Sequence, residues 1–150
     1  MTKVKIVYAS MTGNDEDIAD ILSEDFEDAG MDVDTSEISQ TDVEDYENAD
    51  ICIAVIYTYS DGFEGNLPDE GVDFYHDLLD TDLSGKTFGV CGSGDHFYEK
   101  YAAAVDVFHD AFIKAGATEG SKPVKVELAP DTDDIKRLDN FASEIIAKFK

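Results

Sequence analysis

Cations are scarce in this chain: 11 Lys plus Arg stand against 35 Asp plus Glu, a formal net charge of −24 at pH 7 over 150 residues. A field of that sign repels nucleic acid and anionic membrane surfaces; it either keeps a small protein soluble or steers it toward basic partners. Cysteine is limited to Cys52 and Cys91, each inside an apolar run and without CxxC spacing. No disulfide framework can be built from them, and both are expected as buried, reduced thiols in parallel strands. No apolar stretch approaches the ~18–20 residues that span a bilayer. The first residues, Met1-Thr2-Lys3-Val4-Lys5-Ile6-Val7-Tyr8, run into a strand-like segment without the apolar core and cleavage site of a signal peptide, so the expectation is a cytoplasmic protein without membrane insertion. Histidine occurs only at positions 76, 96 and 109, with no paired ligand spacing for a metal. His76 and His109 read as helix-face residues.

With 43% hydrophobic residues, 150 residues make one ordinary domain with one substantial core, so residues 1–150 are read as a single domain. Short apolar runs alternate with helical patterns throughout, the signature of an α/β domain around a parallel sheet. The strand candidates are Val4–Tyr8, Met31–Thr35, Ile51–Tyr57, Thr87–Gly92 and Val124–Leu128. The third is apolar at every position, as a strand covered by helices on both faces must be, and belongs mid-sheet. Helical periodicity is clearest in Ile18, Ile21, Leu22 and Phe26, and again in Ile135, Leu138, Phe141, Ile145, Ile146 and Phe149. Val72–Leu79 and Glu99–Ala115 read as two more helices, the latter ended by Gly116; Thr41–Glu47 is at best a short one. Five strands with these crossovers make a doubly wound sheet. In such sheets ligands bind beyond the carboxyl ends of the strands where the winding reverses, which singles out the loops after the first, third and fourth strands.

The first of these loops, Ser10-Met11-Thr12-Gly13-Asn14-Asp15-Glu16, is a hydroxyl- and glycine-rich turn that opens a helix. Amides at a helix N-terminus, with Ser10, Thr12 and Asn14 nearby, can enclose a phosphate. The absence of lysine excludes the P-loop pattern GxxxxGK[ST] and suits a monophosphate met by hydrogen bonds alone. Standing alone, the segment also reads as a capped helix start. After the third strand, Thr58-Tyr59-Ser60-Asp61-Gly62 places an aromatic ring beside a turn, where it can stack on a planar heterocycle or serve as an ordinary loop tyrosine. Beyond the fourth strand, Gly92-Ser93-Gly94-Asp95-His96-Phe97-Tyr98 again joins small residues to an aromatic one. Its glycines permit close backbone approach, and its amides can bond the pyrimidine edge of an isoalloxazine. It fails as a dinucleotide fingerprint, because Phe97 replaces the third glycine of GxGxxG, and Ser93 lacks the GxSxG setting of a hydrolase nucleophile.

These three loops, in this order, resemble those of the flavodoxin family, and the similarity covers essentially the whole chain. The resemblance implies a five-stranded parallel sheet in the order 2-1-3-4-5, with an uninterrupted fifth strand similar to the short-chain members. It implies FMN as a non-covalent cofactor, with Ser10, Thr12, Gly13 and Asn14 holding the phosphate. Tyr98 would stack on the outer flavin face and Tyr59 on the inner one, while backbone groups of Ser60, Asp61, Ser93, Gly94 and Asp95 would meet the flavin edges. Met11, Asp15, Thr58, Gly62 and Phe97 complete the implied cofactor-binding set. Three departures bear on affinity and redox tuning: Asp15 stands where the family usually has a threonine facing the phosphate, Ser60 replaces a usual glycine, and Gly62-Phe63-Glu64-Gly65-Asn66 is longer than the common loop.

The implied function is that of a low-potential, one-electron carrier, a monomer that exchanges electrons with basic-surfaced redox proteins: a flavodoxin reductase-type donor and acceptor enzymes. No catalytic acid, base or nucleophile is required, because the cofactor carries the redox chemistry and the protein sets which oxidation state is favoured. A quinone reductase of the same fold would need a substrate pocket over the flavin, for which only Phe63–Asn66 offers extra chain. A phospho-receiver module needs an aspartate at the end of the third strand, where Ile56-Tyr57 stands; Lys122-Pro123 precedes the fifth strand instead of closing it.

Overall fold

The structure, a computed structural model, describes residues 2–9, 13–57, 69–94, 103–127 and 130–149. Its elements run β1 (Lys3–Ala9), α1 (Asn14–Asp28), β2 (Asp32–Glu37), a 3-10 turn (Ile38–Gln40), α2 (Glu44–Glu47), β3 (Ile51–Ile56), α3 (Asp69–Leu79), β4 (Thr87–Gly94), α4 (Ala103–Lys114), β5 (Thr118–Glu119), β6 (Val124–Glu127) and α5 (Thr132–Ala147). All pairings are parallel, and the strand order is β2-β1-β3-β4-β5, with β6 also on β4. The winding reverses between β1 and β3, as expected for a 2-1-3-4-5 sheet.

The two-residue period of β3 divides the core. Ile51, Ile53 and Val55 face α1 and α5, packing with Ile18, Leu22, Phe26, Leu138, Phe141 and Ile145. Cys52, Ala54 and Ile56 face α3 and α4, with Leu78, Phe108 and Phe112. Every β3 residue is buried, so the all-apolar run in the sequence follows from two covered faces. Both cysteines lie in these central strands, free and fully buried. Burial pushes the Cys52 thiol up to about 12 and the Cys91 thiol up as well, which keeps both protonated and unreactive near neutral pH.

Two details differ from the sequence reading. The expected fifth strand, Val124–Leu128, occupies only part of its edge: β5 pairs with Thr87 and Phe88, β6 with Cys91–Gly94, and residues 120–123 pass between them. There Gly120 donates its N–H to Phe88 O at 2.8 Å, and Pro123 has no N–H to continue a ladder. A Cβ on Gly120 would fall 2.7 Å from Thr87 Cγ2, so the crossing is close as well as short. Ile135, expected in the buried stripe of α5, is 38% exposed. It lies in the first turn, ahead of the buried run Leu138, Phe141, Ala142 and Ile145.

Helices α1 and α5 lie side by side, and their seam holds two carboxyl groups. Burial, a side-chain hydrogen bond to Asp139, and the charges of Asp139, Asp28 and Glu24 push the Asp25 carboxyl from 3.8 up to about 7. A carboxyl raised in the folded state holds its proton to a higher pH than the unfolded chain does. Its cost is therefore absent below about pH 4, grows as the pH rises, and is complete above about pH 7. Replacing Asp25→Asn should remove that loss, so the mutant should gain thermal stability relative to wild type as pH is raised through this window. Parallel Tm–pH curves for the two proteins would contradict the assignment.

Candidate functional site

The carboxyl ends of β1, β3 and β4 lie side by side in the sheet, so the segments that follow them open at one edge. Of the expected cofactor residues, Gly13, Asn14, Asp15, Ser93 and Gly94 are described. Ser10, Met11, Thr12, Thr58, Tyr59, Ser60, Asp61, Gly62, Asp95, Phe97 and Tyr98 lie outside the described residues, as do His96 and Phe63–Asn66.

Gly13 is the N-cap of α1 and has φ of 91°, a left-handed conformation that side chains with a Cβ resist. A Cβ built there meets nothing within 4 Å, so the position faces open space. Asp17 N–H, the first to close a helical turn, donates to Gly13 O at 3.0 Å. The amides of Asn14, Asp15 and Glu16 precede it and, by helix geometry, have no carbonyl one turn back within α1. These amides and the positive end of a 15-residue helix are the donors a phosphate uses. Ser10–Asp17 contains no lysine or arginine, so what this segment itself offers a phosphate is backbone N–H and side-chain hydroxyl and amide groups. The donor set fits a monophosphate ester such as that of FMN. It fits despite Asp15, Glu16 and Asp17, three carboxylates in the same turn.

Asp15 does not lie on the outside of that turn. Its side chain is turned inward and only 1% exposed, and Oδ1 accepts the Ser93 backbone N–H at 3.0 Å. The reason lies in the sheet. Pairing between β3 and β4 ends at Val55 with Cys91, while β4 continues to Gly94 against β6. The carboxylate of Asp15 takes the Ser93 N–H just past that end and ties the start of α1 to the start of the loop after β4. The family resemblance puts Asp15 where a threonine usually faces the phosphate, and Ser93 among the residues whose backbone groups meet the flavin edge. In the structure the Asp15 carboxylate and the Ser93 N–H meet each other. Their separation of 78 positions in the chain puts this pairing beyond any local sequence signal.

The sequence places Gly92 both at the end of the fourth strand candidate, Thr87–Gly92, and at the start of the small-residue loop that follows. A Cβ there would stand 1.8 Å from Ile56 O and 2.7 Å from Val105 Cγ2. The last carbonyl of β3 and the Val105 side chain of α4 therefore both occupy the space a side chain at this position would need. This close approach sets where the segments after β3 and β4 begin.

The described histidines stand apart from this edge. His76 is exposed on α3, and His109 on α4 pairs with Glu119 of β5. Among the described residues no group of three or more His, Cys, Asp or Glu side chains is placed to hold a metal ion. Also among them, no helix is long and apolar enough to cross a membrane.

A family model described as flavodoxin matches residues 6–140. The chain is 36% identical over 148 residues to probable flavodoxin 1 of Bacillus subtilis, an alignment covering 98% of this chain and 92% of that protein. Among solved structures, the flavodoxin of Streptococcus pneumonia TIGR4 superimposes with a TM-score of 0.93 at 50% identity, covering 98% of this chain and 99% of that one. A short-chain flavodoxin associated with a non-canonical PDU bacterial microcompartment gives a TM-score of 0.94 at 48% identity, with both chains covered completely.

Proposed function

We infer the function of this chain from the premise that it belongs to the flavodoxin family: it is an FMN-binding electron-transport flavoprotein, and we propose that it carries electrons one at a time, at low potential, between a reductase and acceptor enzymes in the cytoplasm. The observation that most supports this reading is the left-handed Gly13 opening α1 at the carboxyl edge of the sheet, beside the ends of β3 and β4. When bound, FMN supplies the one-electron chemistry through its ring.

The chain's own residues bind, orient and set the field. The amides at the start of α1, with Ser10, Thr12 and Asn14, would hold the phosphate. Tyr59 and Tyr98 would cover the two ring faces, excluding water. The backbone from Thr58 to Gly62, with Gly94, Asp95 and Phe97, would line the ring edge, with Met11 beside the phosphate loop. A quinone reductase would need, in addition, a substrate pocket over the ring, for which only Phe63–Asn66 offers extra chain.

The partners we propose are basic-surfaced redox proteins that meet a monomer of this −24 chain. Long-range attraction should accelerate their encounter at low ionic strength. The test is reduction of the FMN-loaded protein by a basic flavoprotein reductase, followed as a second-order rate while salt is raised. From about 0.01 to about 0.15 M, the Debye length falls from roughly 30 to roughly 8 Å, and the rate should drop severalfold. A flat or rising rate would contradict steering. Turnover of quinone by NAD(P)H without the reductase would instead favour the quinone-reductase reading.

A further inference from the structure

We propose that the contact between Arg137 and the Lys125 carbonyl is an intramolecular block on the outer edge of β6, which keeps two copies of this chain from joining their sheets through that edge.

On one side β6 pairs with β4, and among the described residues no strand lies on its other side. Alternate residues of such an edge strand turn both N–H and C=O outward, an arrangement that accepts a further strand. Lys125 is one of these residues: its carbonyl turns to α5 and accepts from Nη2 of Arg137 at 2.9 Å. The same nitrogen is ion-paired with Asp134. Asp134 is fixed in turn by the cap of α5, where its carboxylate accepts the Asp131 N–H at 3.1 Å and its own N–H donates to the Asp131 side chain at 2.9 Å. A helix cap therefore holds the guanidinium on the strand edge.

The occupant that this contact excludes is a second copy of β6. The strand reads Val124-Lys125-Val126-Glu127, and by its two-residue period Lys125 and Glu127 both present outward backbone groups. Two copies running antiparallel about a two-fold axis at Val126 would set Lys125 of each opposite Glu127 of the other. Residue types of opposite charge would then face each other, and each such pair would exchange both backbone hydrogen bonds. The pairing needs the Lys125 carbonyl as an acceptor, and Arg137 occupies it. The other edge of the sheet, β2, carries Asp32, Asp34 and Glu37 and no cation, so self-pairing there would bring like charges together. One side chain suffices as a block on β6 because the strand has only four residues, with Pro123 before it. Net charge adds a second barrier, since each copy carries −24. Salt removes the charge barrier and leaves the one at Arg137.

The experiment is sedimentation equilibrium of the FMN-loaded protein at millimolar concentration, with salt raised from about 0.01 to about 1 M so that the Debye length falls from roughly 30 to roughly 3 Å. Wild type should remain a monomer throughout. Arg137→Ala should be a monomer at low salt and approach twice that mass at high salt. Asp134→Asn, which loosens the hold on the guanidinium, should shift the same way to a smaller extent, and it carries the test if Arg137→Ala does not fold. Adding Lys125→Pro to Arg137→Ala removes the outward N–H of the edge and should restore the monomer. A monomer at high salt for Arg137→Ala and Asp134→Asn alike, even with a lowered Tm, would overturn the proposal, because Arg137 would then serve only the fold. So would a dimer that survives Lys125→Pro, because it would be built on another surface.

Discussion

Replacing Gly92→Ala is expected to cost about 3 kcal/mol or more of folding stability, the upper range for overpacking a close-packed interior. The added Cβ would lie 1.8 Å from Ile56 O and 2.9 Å from Ile56 C, both backbone atoms, and 2.7 Å from Val105 Cγ2. A side chain could rotate away from such a contact, but Ile56 at the end of β3 cannot without disturbing its pairing with Ala9 of β1. Gly13 provides the comparison: it has φ of 91° but open space around its missing Cβ, so Gly13→Ala should cost only the left-handed backbone penalty, roughly 1–2 kcal/mol. In urea, with a slope of about 1–3 kcal/mol per molar, the apoprotein midpoint should fall by at least about 1 M for Gly92→Ala. It should fall by less for Gly13→Ala. The first variant should also lose FMN affinity, because the displaced strand ends carry the segments expected to contact the ring. A Gly92→Ala midpoint equal to wild type would contradict the packing described.

The contrast between these two glycines shows what the sequence could and could not disclose. Gly13 was legible as the turn of a phosphate loop because it sits in a local pattern, between hydroxyl residues and an acidic first turn. The role of Gly92 is set by Ile56 and Val105, which no local pattern connects to it. The same division runs through the fold. Ile51–Ile56 declared itself as a central strand by an unbroken apolar run, and α1 by the spacing of Ile18, Leu22 and Phe26. Thr118–Glu119 did not, because two polar residues on an edge carry no periodicity. Nor did the weight of α2: four residues long and strongly acidic, it is anchored by Tyr46, which is fully buried, donates its hydroxyl to Ile53 O at 2.7 Å and meets Phe74 edge-on. At the site, residue types announced a phosphate and a planar ring, whereas the inward turn of Asp15 onto Ser93 depended on where β3 stops.

The central claim is that this chain holds FMN as a low-potential, one-electron carrier, and a redox titration of the FMN-loaded protein tests it most directly. The ring would sit among apolar and aromatic side chains on a protein of net charge −24, so adding negative charge to it is opposed. At an effective dielectric near 20, one carboxylate about 10 Å away contributes about 1.7 kcal/mol, and one-electron potentials move by ~59 mV for each tenfold change, so a single such group is worth roughly 70 mV. A few of them, reduced by solvent screening, should lower the second reduction step by roughly 100–200 mV. The account predicts two resolved one-electron steps, the second that far below the second step of free FMN under the same conditions. A single two-electron wave, or a second step at or above that of free FMN, would contradict it.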